Sequence, residues 1–221
     1  MPGPAVSARC SVSRVNRILI VTAVEAEAEA VRRGLPEAGH GVSVLVGGVG
    51  AARAAAAVSR ALALDPGFDA VVCAGIGGAF PGRAEPGALL LARRVVAADL
   101  GAESPDGYLS VDELGFGTAT AEAGRVPGLE AVVGTVLTVN TVTGTGERAA
   151  ELLRRHPEAV GEAMEGYGVA VAAGLADLPF AEVRAVSNLV GVRDRAAWRL
   201  DLAFAALTGA ARPIAEGLRA C

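Results

Sequence analysis

Short apolar runs alternate along the chain with longer stretches that are rich in Ala. Apolar runs with many β-branched residues predict buried strands, and Ala-rich stretches that end at Gly or Pro-Gly predict helices. The pattern predicts strands at residues 17–22, 42–46, 70–73, 88–96, 132–139, 160–164 and 181–186. It predicts helices at residues 25–33, 51–64, 147–155, 166–175 and 196–219.

This alternation predicts a single α/β domain of three layers, with a mostly parallel, mixed central sheet flanked by helices. Residues 1–16 are predicted to form a flexible N-terminal extension, and residues 17–221 the domain. Residues 99–130 contain many Gly, Pro and Asp, so we expect a long functional loop or a segment that covers the domain.

Composition narrows the class of protein. Hydrophobic residues make up 52% of the chain and the net charge is −4, which excludes a disordered tail and argues against nucleic-acid binding. No apolar run is long enough to predict a membrane span. The cysteines (Cys10, Cys73, Cys221) are scattered, and the two histidines (His40, His156) are predicted to be plain surface residues. We therefore expect a cytoplasmic protein without a bound metal.

Gly48-Val-Gly50 stands between a predicted strand and a predicted helix, as the glycines of a dinucleotide site do. That motif needs Gly or Ala at position 53 and an acidic residue at the end of the next strand, where the chain has Arg53 and Cys73. NAD and FAD are therefore disfavoured and no cofactor is expected. The turn either allows close backbone packing or cradles a ligand.

Polar and glycine-rich segments follow the predicted strands. In open α/β sheets, ligands bind outside the carboxyl ends of the strands, so these segments are expected to converge at one end of the sheet. The segments are residues 22–27, 47–50, 75–78, 139–145, 164–167 and 187–194.

Taken singly, each segment also has a purely structural interpretation. Glu25 and Glu29 favour the positive end of the first helix, whereas Glu27 is placed to enter a site. The Met-Glu pair within residues 163–167 could cap a helix, and residues 184–188 could be an ordinary strand end.

Taken together, five pieces in this order resemble the superfamily of purine nucleoside phosphorylases and nucleosidases. They are residues 20–27, 47–50, 74–78, 163–165 and 184–188. The chain is most similar to the methylthioadenosine/S-adenosylhomocysteine nucleosidases. Within the superfamily, residues 164–168 and 187–195 look like those of futalosine hydrolases. That resemblance implies hydrolysis of futalosine to hypoxanthine and dehypoxanthinyl futalosine in menaquinone biosynthesis.

The resemblance also implies roles for single residues. Glu27 matches the carboxylate that activates the attacking water, and Met164 and Glu165 match residues that pack on the ribose and bind its hydroxyls. Asn188 matches the position that contacts the purine. Further substrate-binding positions are Val49, Gly50, Ile76, Gly77, Thr141 and Ser187. Thr141 stands where adenine-specific relatives have an aromatic residue that stacks on the base.

Asn188 is a departure from the adenine-specific enzymes, which have Asp there. Hypoxanthine presents an acceptor oxygen at C6, which an amide NH₂ can donate to and an ionised carboxylate cannot. The departure favours a 6-oxopurine. The first turn contains carboxylates and no Arg, which favours water over phosphate, although Arg53 and Arg83 leave phosphorolysis open.

Arg193 and Arg195 flank Asp194, and two interpretations stay open for them. They form either a solvated loop or a clamp for the benzoate that futalosine carries on its 5′ side, since Arg binds carboxylates bidentately. The alternatives to a futalosine hydrolase are a methylthioadenosine-type nucleosidase, a phosphorylase, or a nucleoside-binding protein without turnover. By resemblance, a homo-oligomer is expected.

Overall fold

The computed structural model describes residues 16–37 and 41–219. The strands are β1 (Ile18–Thr22), β2 (Val42–Val46), β3 (Ala70–Ala79), β4 (Leu89–Ala97), β5 (Gly101–Ser104), β6 (Gly107–Ser110), β7 (Thr120–Glu122), β8 (Val132–Thr138), β9 (Ala159–Ala163) and β10 (Phe180–Leu189). The helices are α1 (Glu25–Gly34), α2 (Ala51–Leu64), α3 (Gly146–Arg155), α4 (Gly166–Leu175) and α5 (Leu200–Arg219).

Some sequence-based expectations concern residues outside the described ranges. They are the N-terminal extension, apart from Asn16, and the surface position predicted for His40. None of the helices within the described ranges is long and apolar enough to cross a bilayer.

The main sheet has the order β10-β4-β8-β9-β3-β1-β2, with β7 paired to β4. Most pairs are parallel, whereas β10–β4, β3–β9 and β4–β7 are antiparallel. Because β10 also pairs with β3, five strands of the sheet close into a ring. The predicted mixed, mostly parallel sheet is confirmed.

The helices cover both faces of the sheet, as the three-layer prediction requires. Side chains alternate along β1, so Leu19 and Val21 pack in the cluster that includes α2 and α4. Ile18 and Ile20 pack in the cluster that includes α1 and α5. All four side chains are buried, and the run of β-branched residues therefore marks a strand with apolar layers on both sides.

Three elements have a boundary that differs from the sequence-based expectation by three residues or more. Strand β3 does not stop before the glycines but continues through Gly75–Gly78, because β10 and β9 hydrogen-bond to this stretch. Strand β10 likewise extends to Leu189. The last helix begins at Leu200, because residues Arg195–Ala197 form a short 3₁₀ helix, in which the side chain of Asp194 accepts a hydrogen bond from the N–H of Ala196.

The segment 99–130 was expected to be a long functional loop or a segment that covers the domain, and the structure contradicts the first alternative in part. Strands β5 and β6 form a hairpin within it, and β7 adds to the edge of β4. His156, predicted to be a plain surface residue, is half-buried after α3, and its Nε2 atom is buried without a hydrogen-bond partner among the described residues. Burial lowers the pKa of His156.

Helix α4 packs closely on α2, and Gly168 makes that approach possible. A methyl group at Gly168 would overlap the carbonyl oxygen of Ala51 at the start of α2. Gly174 lies on the same helix, and a methyl group there would meet nothing.

Gly168→Ala is therefore expected to destabilise the protein by about 1–3 kcal/mol, because helix α4 must move away from α2. The matched variant Gly174→Ala is expected to stabilise it by about 0.5–1 kcal/mol, since Ala is the better helix former. Denaturant unfolding of both variants measures the difference. Equal effects of the two substitutions would contradict this account of the α2–α4 contact.

Candidate active site

The six polar and glycine-rich segments converge, as the sequence predicted, at one cavity beyond the carboxyl ends of the parallel strands. The cavity has a volume of about 220 Å³ and receives residues from every one of the six segments. Its lining is Ala23, Val24, Glu27, Val49, Ile76, Gly77, Gly78, Val139, Val142, Glu162, Ala163, Met164, Glu165, Ser187, Asn188 and Trp198.

Glu27 is fixed at the cavity by three backbone N–H groups. One carboxyl oxygen accepts hydrogen bonds from Ala23 (2.8 Å) and Val24 (3.1 Å), and the other accepts from Ile76 on β3 (2.9 Å). Glu27 is the third residue of α1, so its side chain can reach back to the N-terminal N–H groups of its own helix. The same side chain thus caps α1 and presents a carboxylate to the cavity.

Glu165 is fixed from two other directions. One carboxyl oxygen accepts from the N–H of Gly50 (3.1 Å), and the other accepts from Nη1 of Arg184 (3.0 Å). Glu165 stands directly before α4, yet its side chain makes no capping bond to that helix. The helix-capping interpretation of the Met-Glu pair is therefore wrong for the Glu165 side chain.

Arg184 is a buried cation behind the cavity, with only 1% of its surface exposed. Besides Glu165, its guanidinium donates to Glu182 (2.7 Å) and to the sulfur of Cys73 (3.0 Å). Burial disfavours its charge, but the groups of Cys73, Glu182, Glu165 and Glu27 outweigh burial and raise its pKa well above the usual value. Burial also raises the pKa of Cys73, which keeps this residue a thiol.

Asn188 lies at the other end of the site, where the pairing of β10 with β3 shifts register. Its Oδ1 accepts from the hydroxyl of Ser187 (2.8 Å), and its Nδ2 donates to the carbonyl of Leu189 (3.0 Å). The single hydrogen of the Ser187 hydroxyl is shared with the carbonyl of Gly77, whose oxygen lies 3.2 Å away. An amide nitrogen carries two hydrogens, so one remains for a ligand.

Most of the predicted site residues line the cavity. These are Glu27, Glu165, Asn188, Val49, Ile76, Gly77, Met164 and Ser187. Gly50 does not line the cavity, but its backbone N–H donates a hydrogen bond to Glu165. Thr141 is exposed and outside the lining, and its neighbour Val142 lines the cavity in its place.

The two arginines of the predicted clamp are placed differently. Arg193 lines a second cavity of about 260 Å³, which shares Val142, Asn188 and Trp198 with the first. Its guanidinium lies 5.9 Å from the centre of the Trp198 ring. Arg195 lies in the short 3₁₀ helix and lines neither cavity.

Of the lining residues that sequence reasoning did not select, Trp198 and Glu162 are the two with a polar or charged side-chain group. Trp198 lines both cavities. The sequence feature that could have indicated it is its position five residues after Arg193. Glu162 stands in the buried strand β9, and a carboxylate in an otherwise apolar strand was the available signal. It accepts from the N–H (2.8 Å) and the hydroxyl (2.6 Å) of Thr143, and burial raises its pKa.

The site thus combines three fixed carboxyl groups, Glu27, Glu162 and Glu165, with an amide around one small, largely apolar cavity. Such a set suits the cleavage of a bond to a polar leaving group, with one carboxylate as a base and another binding hydroxyl groups. Among the described residues, no group of three or more His, Cys, Asp and Glu is arranged to hold a metal ion.

Comparison with known proteins agrees with this arrangement. The model of the Phosphorylase superfamily matches residues 17–212. Futalosine hydrolase of Streptomyces coelicolor is 48% identical over 228 residues, covering 91% of this chain and 96% of that protein. Futalosine hydrolase of Thermus thermophilus is 35% identical over 186 residues, covering 79% of this chain and 81% of that protein.

Solved structures with the same fold are more distant in sequence. A methylthioadenosine/S-adenosylhomocysteine nucleosidase from Neisseria meningitidis superposes with a TM-score of 0.75 at 16% identity, covering 94% of this chain and all (100%) of that one. Futalosine hydrolase of Helicobacter pylori superposes with a TM-score of 0.71 at 18% identity, covering 89% of this chain and 94% of that one. The sequence relatives and the fold together show that this chain belongs to the futalosine hydrolase family of the Phosphorylase superfamily.

Proposed function

We propose that the protein hydrolyses the N-glycosidic bond of futalosine, releasing hypoxanthine and dehypoxanthinyl futalosine in menaquinone biosynthesis. The observation that carries the proposal is that Glu27, Glu165 and Asn188 line one cavity, each held by hydrogen bonds from its neighbours. Sequence relatives at 48% identity that are named futalosine hydrolase support the choice of substrate.

Glu27 acts as the general base in this mechanism. Cleavage of an N-riboside passes through a cation-like sugar, which water attacks from one face while the purine leaves from the other. A carboxyl oxygen can accept more than one hydrogen bond, so Glu27 can hold a water while its backbone bonds to Ala23, Val24 and Ile76 keep it in place. A positioned base contributes roughly 10²- to 10⁴-fold to such a reaction.

Glu165 and Met164 bind the ribose. The carboxylate of Glu165 accepts hydrogen bonds from the sugar hydroxyls and places negative charge near the cation that develops during cleavage. Its bonds to Gly50 and Arg184 fix it before substrate arrives, so little reorganisation is needed in the transition state. Met164 supplies an adaptable apolar surface against the sugar.

Asn188 recognises the purine. Its Oδ1 is engaged by Ser187, which turns Nδ2 toward the partners that accept a hydrogen bond. The oxygen at C6 and the nitrogen at position 7 of hypoxanthine are such acceptors. Adenine presents a donor at C6, so the amide supports a 6-oxopurine nucleoside over methylthioadenosine.

The positions of the arginines favour water over phosphate as the second substrate. In the sequence, Arg53 and Arg83 were the candidate phosphate-binding residues for phosphorolysis. Both are exposed, and neither lines the cavity. Arg83 instead donates to the carbonyl of Pro157 (2.7 Å). The buried Arg184 is already shared between Glu165 and Glu182, so a phosphate entering the cavity would meet carboxylates.

The proposal extends to assembly and location. Val24, Val49 and Val142 line the cavity and yet expose 40%, 48% and 38% of their surface. Apolar side chains at the mouth of a site support a homo-oligomer in which a neighbouring chain covers them.

Cys73 is the one cysteine within the described ranges, and it is a free thiol. A free thiol supports the reducing cytoplasm as the location.

The purified protein is expected to release hypoxanthine from futalosine at the same rate with and without phosphate, and Glu27→Gln is expected to lower kcat by roughly 10²- to 10⁴-fold. Gln keeps the size of the side chain but cannot take a proton from water. Hypoxanthine release, followed by chromatography, measures both. The control is Glu29→Gln on the exposed face of the same helix, which is expected to keep full activity. A rate that requires phosphate, or an active Glu27→Gln protein, would contradict the mechanism.

Asn188→Asp is expected to lower kcat/KM for futalosine by about 10²-fold or more, because a carboxylate offers no donor to the oxygen at C6 and a buried polar mismatch discriminates strongly. The ratio of kcat/KM for futalosine to that for methylthioadenosine is expected to fall as well. Steady-state kinetics with both nucleosides test this. An unchanged kcat/KM for futalosine would refute the role of Asn188.

Arg193 is proposed to bind the carboxylate of the substrate, with Arg195 as a weaker contributor because it lines neither cavity. Arg193→Ala is expected to raise KM for futalosine by roughly 10-fold, since a charged hydrogen bond is worth about 1.5–3 kcal/mol where it is shielded from water. Inosine, which lacks the carboxylate, serves as the control substrate, and its KM is expected to stay the same. If the double substitution of Arg193 and Arg195 left KM for futalosine unchanged, the clamp would be rejected.

A further inference from the structure

Glu182 is a carboxyl group behind the site that the proposed mechanism does not use. It lies in the middle of β10 and has 0% of its surface exposed. One oxygen accepts a hydrogen bond from Nε of Arg184 (2.7 Å), and the other is buried without a hydrogen-bond partner among the described residues. A buried carboxyl with one oxygen unpaired is costly to the fold, which points to a use elsewhere.

Arg184 connects Glu182 to the ribose-binding carboxylate. Its guanidinium donates one hydrogen bond from Nε to Glu182, which fixes its orientation. It donates another from Nη1 to Glu165 (3.0 Å). A guanidinium is planar and stays charged, so fixing one of its nitrogens fixes the direction of the others. Glu182 and Glu165 therefore share one rigid cation.

Gly166 couples Glu182 to the segment that carries Glu165. A methyl group at Gly166 would overlap both carboxyl oxygens of Glu182. The residue that follows Glu165 must therefore be glycine for Glu182 to occupy its place. The N-terminal end of α4 also begins at Gly166, and its partial positive charge favours a carboxylate there.

We propose that Glu182 is a positioning residue for N-glycosidic cleavage: it holds Arg184 in the orientation that fixes Glu165, and it draws part of the positive charge of Arg184 away from Glu165. This inference rests on the proposed function, in which Glu165 binds the ribose. Because Arg184 pairs with both carboxylates, its positive charge offsets less of the negative charge of Glu165. That negative charge then stabilises the sugar cation of the transition state more strongly.

The charged and titratable groups around this network set the expected pH dependence. They are Arg184 on β10, Glu165 before α4, Glu27 on α1 and Cys73 on β3. With Glu182 ionised, three carboxylates face one cation. Burial raises the pKa of Glu182, so this carboxyl takes up a proton at a higher pH than an exposed one and contributes to the acid limb of the rate profile. A variant without this charge loses that contribution, and its acid limb moves to lower pH.

Glu182→Gln keeps the shape of the side chain and the bond from Nε of Arg184 but removes the charge. We expect kcat for futalosine to fall about 10-fold with less than about a threefold change in KM, as for an interaction that matters in the transition state. The acid limb of the kcat/KM profile is expected to move to lower pH. The control Glu122→Gln removes an equal charge from an exposed pair with Arg94, and it is expected to change neither quantity.

A second set of variants separates positioning from simple space filling. Gly166→Ala is expected to lower both the Tm and kcat, because the methyl group displaces the Glu182 carboxyl. Gly166→Ala combined with Glu182→Ala removes the overlap and is expected to restore the Tm but not kcat. Full recovery of kcat in the double variant, or an unchanged kcat and acid limb in Glu182→Gln, would overturn the proposal.

The wild-type protein keeps this test distinct from that of the proposed function. If it does not hydrolyse futalosine, the proposed substrate is wrong whatever the variants do. The ratios of variant to wild-type kcat are then measured with inosine or methylthioadenosine, whichever the wild type cleaves. Loss of kcat and the shifted acid limb with that nucleoside support the positioning role, and their absence overturns it.

Discussion

The site depends on the ion pairs that the buried Arg184 makes behind it. This one guanidinium ties together Cys73 on β3, Glu182 on β10 and Glu165 at the start of α4. Burying charges costs several kcal/mol per ion, and apolar residues of similar volume are often as stabilising as a buried ion pair. Stability alone therefore gives little reason for such a cluster, whereas a need to hold Glu165 in one orientation does.

Glycines make room for this cluster in the sheet. A methyl group at Gly75 would lie 2.7 Å from Oε1 of Glu27 and 2.9 Å from Nη1 of Arg184. The glycine of β3 and the glycine that opens α4 thus stand where the carboxylates and the guanidinium pass. Their small size matters here more than their backbone freedom, since neither has a positive φ. The network and its glycines have to be present together.

Outside residues 99–130, sequence alone predicted the order of the elements, and it predicted the end of the sheet where the site lies. The apolar run of β1 and the Ala-rich helices α2 and α4 carry strong local signals, and the polar segments that follow strands lie where the topology of α/β sheets puts ligands. The path of β3 through its glycines was not predictable in the same way. Glycine signals a break locally, and only the pairing with β10 and β9 keeps this stretch extended.

The partners of the site residues were hidden for a related reason. Glu182 and Arg184 are two residues apart on one strand, so the pattern places them on one face, but Glu165 comes from another part of the chain. Thr141 and Val142 differ by one position in a loop, where no periodicity decides which side chain faces the cavity.

Rigidity distinguishes the two ends of the site. Each of the two carboxylates accepts at least two hydrogen bonds from regular elements or their ends. Glu27 accepts them from the turn between β1 and α1 and from β3. Glu165 accepts them from the turn before α2 and from β10. Arg193, which is proposed to bind the carboxylate of the substrate, and Trp198 lie on the irregular segment between β10 and α5. Bond cleavage needs fixed charges, because their value in the transition state depends on small distances. Recognition of a variable substituent tolerates a segment that adjusts, so this division allows one family to keep its chemistry while its substrates differ.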